Sequence, residues 1–192
     1  MLDRRKLSMI SRRKLERWFP DDEIVVAPES ALPDGLSDVP TRRLLGDIGV
    51  PESFLDVLMI DIVRPIPRIG EVYQRHGGTA PAGTAELFFL GFAGQSQLAL
   101  DGNSGRLFQV HEEFGSRPMA SSLESFLRVL GFVSGEVQKH QRKPRYTAEQ
   151  FAERLIPGAL KQLKRRDPAA LPAAEPAWRA FLADVAANSS EE

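Results

Sequence analysis

Leu87-Phe88-Phe89-Leu90-Gly91-Phe92 decides the fold, because this apolar run has the length of a buried strand and opens the part of the chain that can build a core. Residues 97–100 begin to alternate apolar and polar side chains, and residues 106–110 form another short strand pattern. The segment Asp101-Gly102-Asn103-Ser104-Gly105 between them has the composition of a tight turn. The sequence therefore predicts three strands, of which the last two form a hairpin.

An amphipathic helix is predicted directly after these strands. Ser121 and Glu124 have the spacing of a capping box at a helix N-terminus. Four apolar side chains then fall at positions i, i+3, i+4 and i+7 and share one helix face: Leu123, Phe126, Leu127 and Leu130. Because such a face must be covered by other elements, spacing alone predicts an α+β domain.

Three elements are predicted upstream of this core. A ragged apolar stripe that ends at Pro20 indicates a docking helix. A basic helix of this kind can also lie on an anionic membrane, but its thin stripe favours docking. Thr41 has the position of an N-cap for a short helix that Gly49 ends. A mainly apolar segment predicts a buried strand near residues 58–63.

Two helices are predicted downstream of the core. Thr147 and Gln150 fit a capping box at the start of the first, and the pair Pro157-Gly158 is expected to bend or break it. The second starts near Pro176. Its apolar residues again have helical spacing and are expected to be buried: Trp178, Phe181, Leu182 and Val185.

Length and composition favour one globular domain. With 192 residues, of which 42% are hydrophobic, the chain is long enough to bury a substantial core but short for two domains. The absence of cysteine excludes disulfides, thiolate zinc sites and cysteine catalysis, and together with the lack of a secretory apolar segment near Met1 it predicts a cytoplasmic protein. No run of about 18 apolar residues occurs, so no segment of the chain is expected to span a membrane.

The formal net charge of −1 conceals an uneven distribution. Residues 1–17 carry seven basic and two acidic side chains, residues 18–137 carry eight basic and seventeen acidic ones, and residues 138–166 carry nine basic and two acidic ones. An acidic body therefore lies between two basic segments. Such a body attracts a basic partner, although the chain's own basic helices can neutralise part of its charge.

The basic residues between 139 and 166 raise the alternative of a nucleic-acid patch, since Tyr146 lies among them. A solvated helix face is the favoured interpretation, because aromatic residues are sparse in this segment and the total charge is near neutral. Direct binding of nucleic acid is therefore not expected.

The motifs indicate no catalytic, cofactor or metal site. The three histidines are far apart in sequence and lack the spacing of metal ligands. The segment Gly94-Gln95-Ser96-Gln97 begins like a nucleophile elbow, but Leu98 replaces the closing glycine. The glycine-rich loop from 77 to 83 lacks the Gly-Lys-Ser/Thr ending of a phosphate-binding loop. We predict that the chain is not an enzyme and needs no cofactor.

Several short stretches occur in a recognisable order along nearly the whole chain. They are Leu15-Glu16-Arg17-Trp18-Phe19, Ala31-Leu32-Pro33, Pro40-Thr41-Arg42-Arg43-Leu44-Leu45, Ile48-Gly49-Val50-Pro51, Leu98-Ala99-Leu100-Asp101, Gly105-Arg106-Leu107-Phe108, Ser121-Ser122-Leu123-Glu124-Ser125-Phe126, and Asp167-Pro168-Ala169-Ala170 with Trp178. In this order they resemble the SUKH superfamily, the Smi/Knr-like bacterial immunity proteins, and specifically its fourth group, of actinomycete type.

The resemblance implies an α+β fold with a central, largely antiparallel sheet wrapped by helices. It also implies a non-enzymatic protein that binds a cognate polymorphic toxin, of nuclease or nucleic-acid deaminase class, and neutralises it stoichiometrically. An intracellular scaffold or regulatory protein-binding module of the same fold is the alternative. We predict a single domain from residue 9 to residue 187, a disordered extension at residues 1–8 and a frayed tail at residues 188–192.

Acidic residues on strands and turns are the candidate toxin contacts, because rigid elements hold them in place before binding. Asp101 lies in the predicted hairpin turn. Glu112 and Glu113 follow at the end of the second strand, where adjacent side chains point to opposite faces. Such carboxylates would take the place of phosphates and speed association with a basic toxin. Exposed carboxylates are also ordinary solvated groups, and that interpretation stays open for all three.

Overall fold

The architecture is a six-stranded antiparallel sheet with helices on both faces and a small two-stranded sheet beside it. The computed structural model describes residues 10–62, 64–143 and 146–189. Its helices and strands, in chain order, are α1 (Arg12–Trp18), β1 (Ile24–Val25), α2 (Val39–Arg43), β2 (Val50–Pro51), β3 (Ser53–Phe54), β4 (Leu58–Ile60), α3 (Ile69–Arg75), β5 (Phe88–Ala93), β6 (Ser96–Leu100), β7 (Leu107–His111), β8 (Gly115–Ala120), α4 (Leu123–Arg142), α5 (Ala148–Arg166) and α6 (Glu175–Asn188).

The large sheet confirms the predicted α+β class. Its strands run in the order β3-β4-β5-β6-β7-β8, each antiparallel to its neighbours, while β1 pairs with β2 outside it. The three strands predicted from the apolar runs are β5, β6 and β7, and β6 with β7 forms the expected hairpin. The strand predicted at residues 58–63 is β4, which ends at Ile60, whereas Val63 lies outside the described residues. The sheet is therefore a meander in which neighbours in space are neighbours in sequence.

The two faces of this sheet are covered differently. Strand alternation sends Leu98 and Leu100 into the main core and Ala99 to the opposite face. The main core contains the buried sides of α4 and α6, whereas Ile69 and Tyr73 of α3 pack with Ala99. We call the side of α4 and α6 the inner face and the side of α3 the outer face. Because α3 has only seven residues and a length of about 10 Å, it covers only part of the outer face.

Helix α4 confirms the predicted apolar face but begins with a different cap. All four predicted core residues of this helix are fully buried: Leu123, Phe126, Leu127 and Leu130. The N-cap is Ser122, whose Oγ accepts a hydrogen bond from the backbone N–H of Ser125 at 3.1 Å. The predicted box between Ser121 and Glu124 is therefore wrong by one residue. Glu124 instead forms an ion pair with Arg128, one helical turn further on.

Helix α5 begins as predicted and continues further than predicted. Thr147 Oγ1 accepts a hydrogen bond from the Gln150 N–H, and the Gln150 side chain accepts one from the Thr147 N–H. Pro157 does not break the helix, which runs on to Arg166. The buried side chains of α5 continue on one face past the proline, and α5 packs against both α4 and α6. The free energy gained from this packing exceeds the cost of the backbone hydrogen bond that a proline inside a helix removes.

Helix α6 buries all four of its predicted core residues, Trp178, Phe181, Leu182 and Val185. The Trp178 indole N–H donates a hydrogen bond of 2.8 Å to the backbone carbonyl of Met119 in β8. The helix therefore connects the edge of the sheet to the core. It includes Asn188, and Ser189 is buried at its end; the rest of the predicted frayed tail, residues 190–192, lies outside the described residues.

The N-terminal part of the chain docks on α4. Leu15 and Phe19 are buried, and Trp18 lies so close to Gly131 of α4 that a Cβ at Gly131 would overlap the indole ring. This contact explains a glycine in the middle of a long helix, where alanine is ordinarily preferred. Residues 1–8, predicted to be a disordered extension, lie outside the described residues.

The short helix α2 is capped by a residue other than the predicted one. The carboxylate of Asp38 accepts a hydrogen bond of 3.0 Å from the Thr41 N–H, so Asp38 is the N-cap and Thr41 lies buried inside the helix. A π-helical turn, Leu44–Ile48, follows. Gly49 then ends the helical segment with a φ of 94°, which confirms the predicted stop.

Two elements of the sheet region were missed from sequence. Strand β8 contains Pro118 and begins at Gly115, and both residue types argue against a strand. The proline is tolerated because β8 is the edge of the sheet and pairs only with β7. Helix α3 is short and bounded by Pro67 and Gly77, so its two turns resemble a loop in composition.

Candidate functional site

The part of the outer face that α3 leaves open carries two exposed apolar side chains. Met59 of β4 is 56% exposed and Phe92 of β5 is 44% exposed, and the two residues oppose each other in the strand pairing. Phe89 lies beside them, with its ring edge-to-face against Phe92 at a centroid distance of 5.2 Å. Large side chains at neighbouring exposed positions form an apolar patch, which on a soluble surface indicates a contact site.

A β-bulge in β5 creates this patch. Phe89 and Phe92 are three residues apart, a spacing that would place them on opposite faces of a regular strand. The pairing of β5 with β6 shifts between Phe89 and Gly91, so that one extra residue is inserted. Phe89 then opposes Ala99, and Phe92 opposes Gln97, on the same outer face. The irregularity is what brings the two rings together.

Gly91 is required for this arrangement. Its φ is 147°, and a Cβ built on it would overlap the backbone carbonyl oxygen of Met59 on the neighbouring strand. Only glycine combines this dihedral angle with so close an approach of two strands. Gly91 therefore holds β4 against β5 and sets Met59 opposite Phe92.

The patch forms the floor of a groove with acidic borders, which we call the outer groove. Its volume is about 460 Å³, and it is lined by Glu52, Ser53, Asp56, Met59, Ile60, Asp61, Arg64, Phe89, Gly91 and Phe92. Three of these residues are exposed carboxylates and one is an exposed cation. Among the residues that the structure describes, none of these four charged side chains forms an ion pair. The groove therefore presents uncompensated negative charge around an apolar floor.

The acidic border continues around the edge strand β3. Asp22 accepts a hydrogen bond of 3.2 Å from the hydroxyl of Ser53, which also lines the groove. Burial raises the pKa of the Asp22 carboxyl, and the neighbouring charge of Asp21 raises it further, against the opposing effect of the Ser53 hydrogen bond. The raised pKa therefore reflects mainly the cost of ionising a carboxyl group that is partly withdrawn from water. A cation placed beside Asp22 would lower the free energy of its ionised form.

The turn between β3 and β4 holds one carboxylate of the groove in an unusual backbone conformation. Leu55 and Asp56 have φ values of 51° and 53°, in the left-handed region that favours glycine and asparagine. The Val57 N–H closes the turn on the Phe54 carbonyl at 3.1 Å, and Leu55 packs against the core. Backbone strain retained in this way is typical of functional positions. The turn fixes Asp56 at the border of the groove.

This arrangement suits the binding of a protein. An apolar centre surrounded by charged groups is the usual anatomy of a protein interface. Among the described residues, no group of three or more His, Asp or Glu side chains is placed to hold a metal ion. None of the described helices has both the length and the apolar character needed to cross a lipid bilayer.

Comparison with known proteins decides the family. The sequence model of the family described as SUKH-4 immunity protein matches residues 10–184. The chain belongs to this family. No curated protein and no solved structure matches it. Membership gives the chain a general role in immunity to a toxin, in a family that is generally non-enzymatic, and implies a cognate toxin as its partner.

Asp101, the first predicted contact residue of this SUKH-4 protein, is engaged within its own turn. Its carboxylate accepts hydrogen bonds from the Asn103 N–H at 2.9 Å and from the Ser104 hydroxyl at 2.8 Å. Burial alone would raise the pKa of the Asp101 carboxyl, but these hydrogen bonds and the charge of Arg106 outweigh it and lower the pKa. The geometry gives Asp101 a clear part in stabilising the β6–β7 turn, and its contact with a partner stays a prediction.

Glu112 and Glu113 lie in the turn between β7 and β8 and are both exposed. They directly follow the end of β7 at His111, so they belong to the turn and the alternation of side chains along a strand does not apply to them. The β7–β8 turn and the β6–β7 turn are at opposite ends of β7, so the structure separates both glutamates from Asp101. Glu112 lies near Tyr73 of α3, where its charge adds to burial in raising the pKa of the tyrosine.

The outer groove was missed from sequence. Its apolar residues lie in runs that predict fully buried strands. These residues are exposed because the bulge turns Phe92 to the outer face and because α3 is too short to cover it. The segment Leu58-Met59-Ile60 is apolar throughout, so its sequence does not indicate that Met59 is exposed between two buried neighbours.

Proposed function

We propose that this SUKH-4 protein neutralises a toxin of nuclease or nucleic-acid deaminase class by binding it stoichiometrically through the outer groove. The observation that carries the proposal is an uncovered apolar patch bordered by carboxylates that have no ion-pair partner among the described residues. Enzymes that act on nucleic acids present basic surfaces to the phosphate backbone. The groove offers such a surface the opposite charge together with apolar contact area.

Charge and apolar area would act at different stages of binding. The carboxylates attract a basic surface over distances up to about the Debye length, roughly 8 Å at physiological salt, and raise the association rate. Met59, Phe89 and Phe92 are then desolvated in the complex and slow its dissociation. A toxin whose nucleic-acid-binding surface is occupied in this way is inhibited without any reaction in the immunity protein.

Reversing two charges at the groove is expected to slow association. In the variant Asp56→Lys/Asp61→Lys, both substituted side chains are exposed, and the left-handed backbone at Asp56 should cost lysine only about 1–2 kcal/mol, so the fold should be retained. We expect the association rate to fall about 10- to 100-fold at low salt, and the difference from the wild type to shrink at high salt. The measurement is binding kinetics at two ionic strengths with a catalytically inactivated toxin domain encoded by the neighbouring gene.

A matched control carries the same change of charge away from the groove. Asp34 and Asp47 are exposed and do not line the groove, so Asp34→Lys/Asp47→Lys alters the net charge equally. If both double variants slow association to the same extent, net charge alone explains the effect and the groove is not the contact surface. Circular dichroism checks the folding of each variant, and titration calorimetry gives the stoichiometry, which is expected to be one to one.

A further inference from the structure

The turn between β7 and β8 presents an aromatic side chain to solvent. Phe114 is 60% exposed at the tip of this hairpin. A single exposed apolar residue is ordinary on a protein surface. Phe114 differs from an ordinary exposed residue because its neighbours hold the ring in one place, at a position flanked by charge.

Two side chains support the ring of Phe114. The imidazole of His111 stacks against it at a centroid distance of 4.9 Å and an angle of 26°, and the guanidinium of Arg117 lies 5.2 Å from its centroid. The turn is closed by a hydrogen bond of 3.1 Å from the Glu113 N–H to His111 Nδ1 and by Gly115 at a φ of 68°. An anchor that is already ordered loses little conformational entropy on binding.

The charge at this tip is negative. Glu112 and Glu113 directly precede Phe114, are exposed, and form no ion pair within the described part of the chain. Beside the ring, on the side of α6, lies a depression of about 300 Å³ whose lining includes Gln109, Arg117 and Asp184. The tip therefore combines a projecting apolar group, two carboxylates and an adjacent polar hollow.

The tip and the outer groove lie at the same end of the sheet. In an antiparallel meander, successive turns alternate between the two ends, so the β3–β4, β5–β6 and β7–β8 turns share one end. The first of these turns carries Asp56 of the groove and the last carries Phe114. Four strand spacings of about 4.8 Å separate them by about 19 Å. The outer groove opens on the outer face, whereas the hollow beside Phe114 is also lined by Ala180 and Asp184 of α6 on the inner face. An interface of ordinary size, roughly 800 Å² on each partner, includes both only if the partner spans this end of the sheet.

We propose that the β7–β8 turn is a second contact element for the same toxin, with Phe114 filling an apolar pocket whose border carries Lys or Arg side chains. This inference rests on the proposed function of the groove. It adds a second contact site and states which chemical groups the toxin would present there. A second copy of this chain is a poor occupant, because two tips that each carry Glu112 and Glu113 repel each other. An anionic membrane is disfavoured for the same reason.

Substitutions at the tip separate the two contributions. Phe114→Ala is expected to raise the dissociation rate of the complex with the inactivated neighbouring-gene toxin about 10-fold or more, with little change in association. Glu112→Lys/Glu113→Lys is expected to slow association about 10-fold or more at low salt, with a smaller change in dissociation. Val39→Ala removes another exposed apolar side chain, 74% exposed and away from this end of the sheet, and should bind as the wild type does.

The outcomes distinguish the two proposals. If Phe114→Ala folds and both tip variants bind as the wild type does, while Asp56→Lys/Asp61→Lys is impaired, the tip is not a contact and the groove stands. If the wild type does not bind the toxin domain, both proposals fall. Should Phe114→Ala unfold, Phe114→Lys provides the same test with a side chain suited to the exposed position, and unchanged dissociation of that variant rejects the tip as an anchor.

Discussion

Replacing Gly91 by alanine is expected to lower the free energy of unfolding by at least about 3 kcal/mol, because strain and overlap act together. The new Cβ would meet the carbonyl oxygen of Met59, a backbone atom that cannot rotate away. The neighbouring strands must separate to relieve the overlap, which breaks the pairing of β4 with β5. Urea denaturation followed by circular dichroism measures the loss.

Gly83→Ala is the matched control for this substitution. Gly83 also has a positive φ, 77°, but a Cβ there would meet no atom within 4 Å. Its loss of stability is expected to be about 1–2 kcal/mol, the cost of the left-handed conformation alone. Equal losses for the two variants would mean that the close approach at Gly91 contributes nothing. The Gly91 variant should also bind toxin less well, since the same overlap distorts the outer groove.

Trp178→Ala is expected to destabilise the protein by about 3–5 kcal/mol, which corresponds to a fall in Tm of about 6–20 °C. The indole is fully buried against the rings of Phe126 and Phe181, at centroid distances of 5.5 and 5.8 Å. Its removal leaves a large cavity and takes the hydrogen-bond donor away from the Met119 carbonyl. Thermal unfolding monitored by circular dichroism provides the measurement.

Trp18→Ala is the comparison for this prediction. The chain has two tryptophans, and Trp18 is only partly buried where it lies on α4. Its removal should cost less than that of Trp178. Each single variant also leaves one tryptophan as a fluorescent reporter of its own region. A loss below about 1 kcal/mol for Trp178→Ala, with helix content retained, would show that α6 can detach from a stable sheet.

Long, regular apolar patterns in the sequence led to correct predictions. The stripes of α4 and α6 repeat over two turns, and both helices bury those residues against the sheet. The β6–β7 hairpin was predicted because its turn residues have backbone requirements that few other residues meet, as Gly105 shows with a φ of 71°. In these elements local preference and tertiary packing agree.

Elements in which tertiary packing overrides local preference were not predicted. Pro157 disfavours a helix interior, yet the buried face that it interrupts continues to Leu163 and holds α5 in place. Pro118 disfavours a strand, yet an edge strand leaves one side unpaired and tolerates it. Such outcomes depend on which elements become neighbours, and no short window of sequence contains that information.

The candidate site was the least predictable part of the molecule. The exposure of Phe92 depends on an inserted residue in β5 and on the length of α3, neither of which changes the hydrophobicity of the apolar run. Glu112 and Glu113 could be identified as exposed acidic residues from sequence. The end of the sheet at which they lie is known only once the complete strand order is known. Charge pattern therefore predicted the chemistry of the surface, whereas the strand order determines which charges lie together.

The meander order of the sheet has a consequence for how such proteins diversify. Each turn at the shared end joins two strands that are already paired with each other, so residues can be inserted or exchanged there without re-routing the chain. The entropic cost of a longer loop grows only slowly with its length. The residues of these three turns can therefore change while the strand pairing and the helices that pack on the sheet stay the same.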